Sequence, residues 1–236
     1  MRHLMVSMLV VAAALATATG AYARDLLVPD PYLTIYDALD EALAESSDVV
    51  IVTNSGEYGS FTMKSNIPVR AEEGETPTID PGTGSTYAVD WPSGAGSNTI
   101  LHGFTVRGGS TAIIRLRGDG VVDSCLVQSE SSDAPVGILF EGSGEVLDCS
   151  VDMNSGGGAD IGIQASGTGT ATRNMITVYQ GRGFYASSGS PTLTESTIQV
   201  TGGQGTNYAV LFGVSSTAPS IDNSTTAWFC ARTATA

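Results

Sequence analysis

The chain has 236 residues, with 10 Lys+Arg against 24 Asp+Glu and a formal net charge of −14 at pH 7. That balance excludes a nucleic-acid binder, since such binding rests on cationic neutralisation of phosphates, and it disfavours anionic membranes and polyuronate chains unless a metal bridges the two anions. Glycine is abundant at 29, and one repeat array accounts for the length better than two globular domains.

In chain order, the first element is a secretory signal. Arg2 and His3 give a short basic start, an apolar run extends from Leu4 to Ala16, and Ala21-Tyr22-Ala23 fits a small-x-small cleavage site. The apolar run is too short for a membrane span. Residues 1–23 are therefore expected to be cleaved after Ala23, leaving a secreted or cell-surface chain with no membrane span. Loss of Arg2 leaves 9 basic against 24 acidic side chains, a formal charge of −15.

Residues 24–48 form an N-terminal segment with a helix predicted over 34–46. Ile35, Ala38, Leu39, Ala42 and Leu43 follow the i, i+3, i+4, i+7, i+8 pattern, and Thr34 with Asp37 makes a capping box. The apolar stripe must cover something, and the open first coil of a stack needs a cap.

Residues 49–225 repeat. Val89, Ile114, Ile138, Ile163, Phe184 and Val210 recur at steps of 25, 24, 25, 21 and 26. Trp91, Leu116, Phe140, Ala165, Ala186 and Phe212 follow two residues behind. A third column reads Phe104, Cys125, Cys149, Asn174, Ser196 and Asn223, and a fourth Val106, Val127, Val151, Ile176, Ile198 and Thr225. Gly-Gly and Ser-Gly pairs mark the turns. A unit this short buries its apolar face only by stacking on its neighbours. The expected fold is all-β: a right-handed parallel β-helix, or solenoid, with an N-terminal amphipathic capping helix. Residues 226–236 read as an irregular tail, too short for another coil and suggestive of truncation.

Thr34-Ile35-Tyr36-Asp37-Ala38-Leu39-Asp40-Glu41-Ala42, then Val49–Val52 and Gly56-Glu57-Tyr58, resembles the start of secreted β-helix proteins of the pectin-lyase-like type. There a T-I-x-x-A-L-x-x-A helix precedes V-x-V…G-x-Y. Gly137-Ile138-Leu139-Phe140 and Asn174-Met175-Ile176 resemble the later coils of that family. The resemblance covers about residues 30 to 225. It implies the fold but not an activity, because the architecture carries lyases, hydrolases, esterases, epimerases and non-enzymes.

Alternation along the strands places Arg115 and Arg117 outward, with Asp90 one coil back, Glu141 one coil forward, and Gln164 and Tyr185 further along. This face is the candidate carbohydrate-contact surface. Asp90–Arg115 and Arg117–Glu141 are the expected cross-strand ion pairs. In lyases of the family an Arg or Lys beside an acidic group abstracts a sugar-ring proton, so the alternative reading makes Arg115, Arg117 and Glu141 catalytic. The N-T-D, D-D, G-H-G and R-I-K signatures of the polygalacturonases are absent. His102 reads as a bend residue.

No organic cofactor is expected, and calcium is the one metal the turn carboxylates Asp119, Asp123, Asp133, Asp148, Asp152 and Asp160 admit. Those carboxylates lack a ligand repeat, and Gly156-Gly157-Gly158-Ala159-Asp160-Ile161 only approximates the calcium nonapeptide. Arg117-Gly118-Asp119 reads as a chance R-G-D at a turn. Cys125 and Cys149 fall in one column, about 4.8 Å apart by strand spacing. Stacked free thiols are the preferred reading, with a disulfide left open. Asn223, in Asn223-Ser224-Thr225, reads as a buried asparagine rather than a glycosylation site.

The reading is thus a secreted non-catalytic scaffold contacting a polysaccharide or cell-surface glycan. The alternatives are a divergent polysaccharide lyase or glycoside hydrolase, and a fragment of a longer adhesin-like protein. Nothing in the sequence fixes the oligomeric state.

Overall fold

The computed structural model describes residues 22–82, 84–129, 136–154, 160–201, 207–216 and 219–229. Of the expected signal, residues 1–21 lie outside them, as do Asp133, Gly156-Gly157-Gly158 and Cys230.

The chain begins with β1 (Asp25–Val28), α1 (Ile35–Glu41) and a 3-10 turn at Ala44–Ser46. The first coil is β2 (Val49–Val52), β3 (Glu57–Tyr58) and β4 (Phe61–Thr62); the second is β5 (Val69–Ala71), β6 (Thr78–Ile79) and β7 (Val89–Asp90). Then come β8 (Ile100–His102), β9 (Thr105–Arg107) and β10 (Ile114–Leu116), followed by β11 (Val121–Asp123), β12 (Leu126–Ser129) and β13 (Val136–Phe140). The next two coils are β14 (Glu145–Leu147), β15 (Ser150–Met153), β16 (Asp160–Ala165) and β17 (Thr170–Thr172), β18 (Met175–Val178), β19 (Gly181–Gly189). The array closes with β20 (Thr192–Thr194), β21 (Thr197–Thr201), β22 (Tyr208–Ser216), β23 (Ser220–Asp222) and β24 (Thr225–Phe229).

Every third strand pairs in parallel with the one before. The result is three sheets: nine-stranded sheet A from β1 to β23, eight-stranded sheet B from β3 to β24, and seven-stranded sheet C from β4 to β22. The chain is therefore a parallel β-helix. The predicted columns are its rungs. Ile114 pairs with Val89 on one side and Ile138 on the other, Ile163 with Ile138 and Phe184, and Phe184 with Val210. Ile114, Ile138, Ile163 and Phe184 are wholly buried, as are Val106, Val127, Val151 and Ile176 of the sheet B column. Burial of one such side chain contributes about 1.5–3 kcal/mol.

Cys125 and Cys149 are buried free thiols in the A–B corner. Asn174, one coil on, accepts the Cys149 N–H on its Oδ1 at 3.0 Å and donates its Nδ2–H to the Val146 carbonyl at 3.0 Å, so its buried amide is satisfied.

Three expectations need correction. The helix ends at Glu41, with Ala42 already extended, and Leu43 is half exposed. The buried Asp48 carboxylate accepts the Leu43 N–H at 3.0 Å, together with the Arg24 N–H and guanidinium, so the N–H that would continue the helix is drawn away. Next, Asn223 is exposed, at φ 47°. It stands in the left-handed corner position held by Ser124, Asp148, Arg173 and Glu195 in earlier coils. Ser224 takes the inward place, its Oγ accepting the Ser196 N–H at 3.1 Å. The cause lies upstream. Ala186 pairs with Phe212 but Ser188 with Ser215, a bulge that adds one residue to β22. By the next sheets the offset has grown, Ile198 pairs with Thr226 rather than Thr225, and a one-residue slip turns every side chain over. Finally, the segment expected to be irregular after Thr225 continues as strand to Phe229, paired with β21.

Candidate functional site

The outer face of sheet C carries the residues singled out from sequence. The outward column runs Thr62, Asp90, Arg115, Leu139, Gln164, Tyr185, Leu211, each paired with the next. Asp90, Arg115, Arg117 and Glu141 come together at its N-terminal end. Gln164 and Tyr185 share the column but stand beyond Leu139, which interrupts the polar run.

The ion pairs are exchanged relative to expectation. Arg115 Nε donates to Glu141 Oε2 at 2.7 Å, and Arg117 Nη2 donates to Asp90 Oδ2 at 3.0 Å. A long side chain reaches the diagonal neighbour two residues along the next strand as readily as the one opposite. Arg117 is turned toward Asp90 because its Nε donates to the Trp91 carbonyl at 2.6 Å. Arg115 also lies over the Tyr87 ring, 5.1 Å from its centroid, and Arg182 over Tyr185 at 4.7 Å. A separate apolar cluster lies beneath: Ala112, Val136 and Ile161 are buried against Tyr87, Leu139 and Tyr185.

Tyr87 and Arg182 were not visible from alternation, because the phase breaks at the B–C corner. Val136 and Ile161 join the outer cluster, while Gly137 and Gly162, one residue on, face the core. A Cβ on Gly162 would lie 2.4 Å from Ile176 Cγ2, so no side chain fits where the chain turns in. The glycine before Ile138 and before Ile163 was the available signal.

Asp90 is a perturbed carboxylate on this face. Burial raises its pKa, against the lowering effect of the Arg117 and Arg115 charges. Its Oδ2 serves Arg117, whereas its buried Oδ1 has no hydrogen-bond partner. That carboxylate borders a shallow cleft of about 350 Å³ with Tyr36, Ser60, Thr62, Thr86 and Tyr87 around it. Tyr36 projects from α1, and the cleft therefore depends on the capping helix as well as on the coils. The cleft offers aromatic faces, hydroxyls and one acceptor oxygen in need of a donor.

The same geometry bears on the lyase reading. Hydrogen bonding to Glu141 raises the pKa of Arg115, which holds its proton more firmly, the reverse of what proton abstraction requires. The turn carboxylates are dispersed: Asp119 accepts from Ser143, Asp123 faces His102, and Asp148 pairs with Arg173. Among the described residues no three His, Cys, Asp or Glu side chains converge as a metal site. His102 is the last residue of β8 and not the bend, which falls on Gly103 at φ 82°. No helix among the described residues is long and apolar enough to cross a membrane.

Comparison with protein-family models, with curated proteins and with solved structures returns no match to this chain.

Proposed function

We propose that this chain is a secreted, non-catalytic scaffold of the pectin-lyase-like kind that holds a neutral glycan at the cell surface against the outer face of sheet C. The observation that carries the reading is the unpartnered, buried Oδ1 of Asp90 beside the rings of Tyr36 and Tyr87. A buried acceptor left unpaired is costly, and a sugar hydroxyl supplies the donor while the C–H face of the pyranose packs on a tyrosine ring. The signal-like residues 1–23 support export. The mature charge of −15 favours a neutral chain over a polyuronate, because like charges oppose encounter.

The test is a glycan-array screen of the mature protein, followed by titration calorimetry with the selected oligosaccharide. Neutral glycans are expected to bind, with Tyr87→Ala and Asp90→Asn each weakening affinity about tenfold, the loss of one good contact. Binding that survives both changes would remove this face from the account.

A further inference from the structure

We propose that a second cleft, on the outer face of sheet A, binds a small hydroxy acid: one carboxylate with hydroxyl groups beside it. Four outward residues stack there on successive rungs. Ile51 pairs with Arg70, Arg70 with His102, and His102 with Asp123. Neighbouring rungs are about 4.8 Å apart. Ile51, Arg70 and His102 line a cleft of about 640 Å³, and Asp123 is hydrogen-bonded to His102.

Arg70 is the first reason. The other described arginines are engaged: Arg24, Arg107, Arg115, Arg117 and Arg173 with carboxylates, Arg182 with a ring. Arg70 is exposed, and it is the one arginine among the described residues with no carboxylate, carbonyl or ring partner. In a chain with 24 acidic side chains, a guanidinium left open in a cleft is available to an anion from outside. Its planar fork matches a carboxylate in two parallel hydrogen bonds.

The second reason is the imidazole beside it. His102 Nδ1 lies 3.0 Å from Asp123 Oδ2, and Ser124 Oγ donates to the other carboxylate oxygen, Asp123 Oδ1, at 2.9 Å. With Nδ1 turned to that carboxylate, Nε2 is the ring nitrogen left to hydrogen-bond a ligand hydroxyl. A guanidinium fork and an open imidazole nitrogen one rung apart are complementary to a carboxylate and a neighbouring hydroxyl.

The wall of the cleft sets the rest of the specificity. In later coils two residues separate a sheet A strand from the next sheet B strand, whereas residues 72–77 separate β5 from β6. This wider corner brings Glu72, Glu73 and Glu75 to the cleft, Glu75 Oε2 accepting from Ser55 Oγ at 2.6 Å. These three carboxylates accept further hydroxyls, and Arg70 alone offsets their repulsion of an anion, so a second anionic group on the ligand is excluded. Ile51 and Ala71 supply apolar contact. The ligand is therefore a polyhydroxylated monoacid, and the cleft is independent of the sheet C face.

His102 is the only histidine after residue 23, so its imidazole proton resonances report on the site without ambiguity. The mature protein is titrated with sodium gluconate, and in parallel with glucose, acetate and citrate. Gluconate is expected to give a saturable shift, with the other three binding at least about tenfold more weakly. Arg70→Gln, a change at an exposed side chain, is expected to weaken gluconate about tenfold while leaving the melting temperature unchanged. The proposal is overturned if gluconate gives no saturable shift, if glucose, acetate or citrate matches it, or if Arg70→Gln binds as wild type does.

Discussion

Single residues in this molecule are judged by which way the pleat turns them. Ile138 lies between Ile114 and Ile163 and is wholly buried. Ile138→Asp places an unpaired charge among apolar neighbours, and denaturant unfolding is expected to show a loss of more than about 4 kcal/mol. A wild-type midpoint would place Ile138 outside the core. Asp90 gives a pH dependence. Because burial raises its pKa, the folded state binds its proton more tightly than the unfolded chain does. Its contribution to stability falls as pH rises from the ordinary aspartate value, about 3.9, through the higher folded value, and the cost persists above it. Asp90→Asn removes that dependence and keeps an oxygen for Arg117. Urea melts at a series of pH values should show the variant gaining on wild type as pH rises through this window; two curves that stay parallel contradict the assignment. Asp148 has the opposite sign: hydrogen bonding to Arg173 lowers its pKa, so its contribution is present above the ordinary value and is lost as pH falls.

At the scale of elements, local signals were readable and long-range ones were not. The start of α1 was legible because its cap is local: the Asp37 N–H donates to Thr34 Oγ1 at 3.0 Å. Thr34→Ala is expected to cost about 1 kcal/mol in thermal or chemical unfolding. The end of α1 was not legible, since Asp48 reaches back from outside the helix to take the Leu43 N–H. Inward columns were legible wherever the repeat kept its step. Asn223 was misplaced because the count passes through the bulge in β22, which nothing in the composition marks. The partners of Arg115 and Arg117 were exchanged because alternation gives a side chain's face, not its reach. The sheet A cleft escaped notice for a related reason. Arg70 and His102 are 32 residues apart, well outside the prevailing step, and only the strand pairing brings them and Asp123 into one column. The helix itself covers the first coil through Ile35, Ala38 and Leu39. Removing residues 34–46 is expected to expose that coil and promote association, seen as a rise in mass by light scattering. A monodisperse and equally stable monomer would show that α1 caps nothing.

For the molecule as a whole, stacking turns a weak repeat into three long outward faces whose chemistry changes from coil to coil. Sheet C gathers tyrosines and ion-paired arginines around Asp90; sheet A gathers Arg70, His102 and Asp123. On the sheet C face Arg115 and Arg117 are neutralised by Glu141 and Asp90. The most direct measurement incubates the mature protein with the neutral glycan selected by the array and, separately, with pectate and alginate, with and without calcium. It follows bound ligand, ultraviolet absorbance of unsaturated products and new reducing ends together. The expected result is saturable binding of the neutral glycan with no product from any chain. Sustained turnover that vanishes in Arg115→Ala or Arg117→Ala would contradict the scaffold account and make the sheet C face an active site.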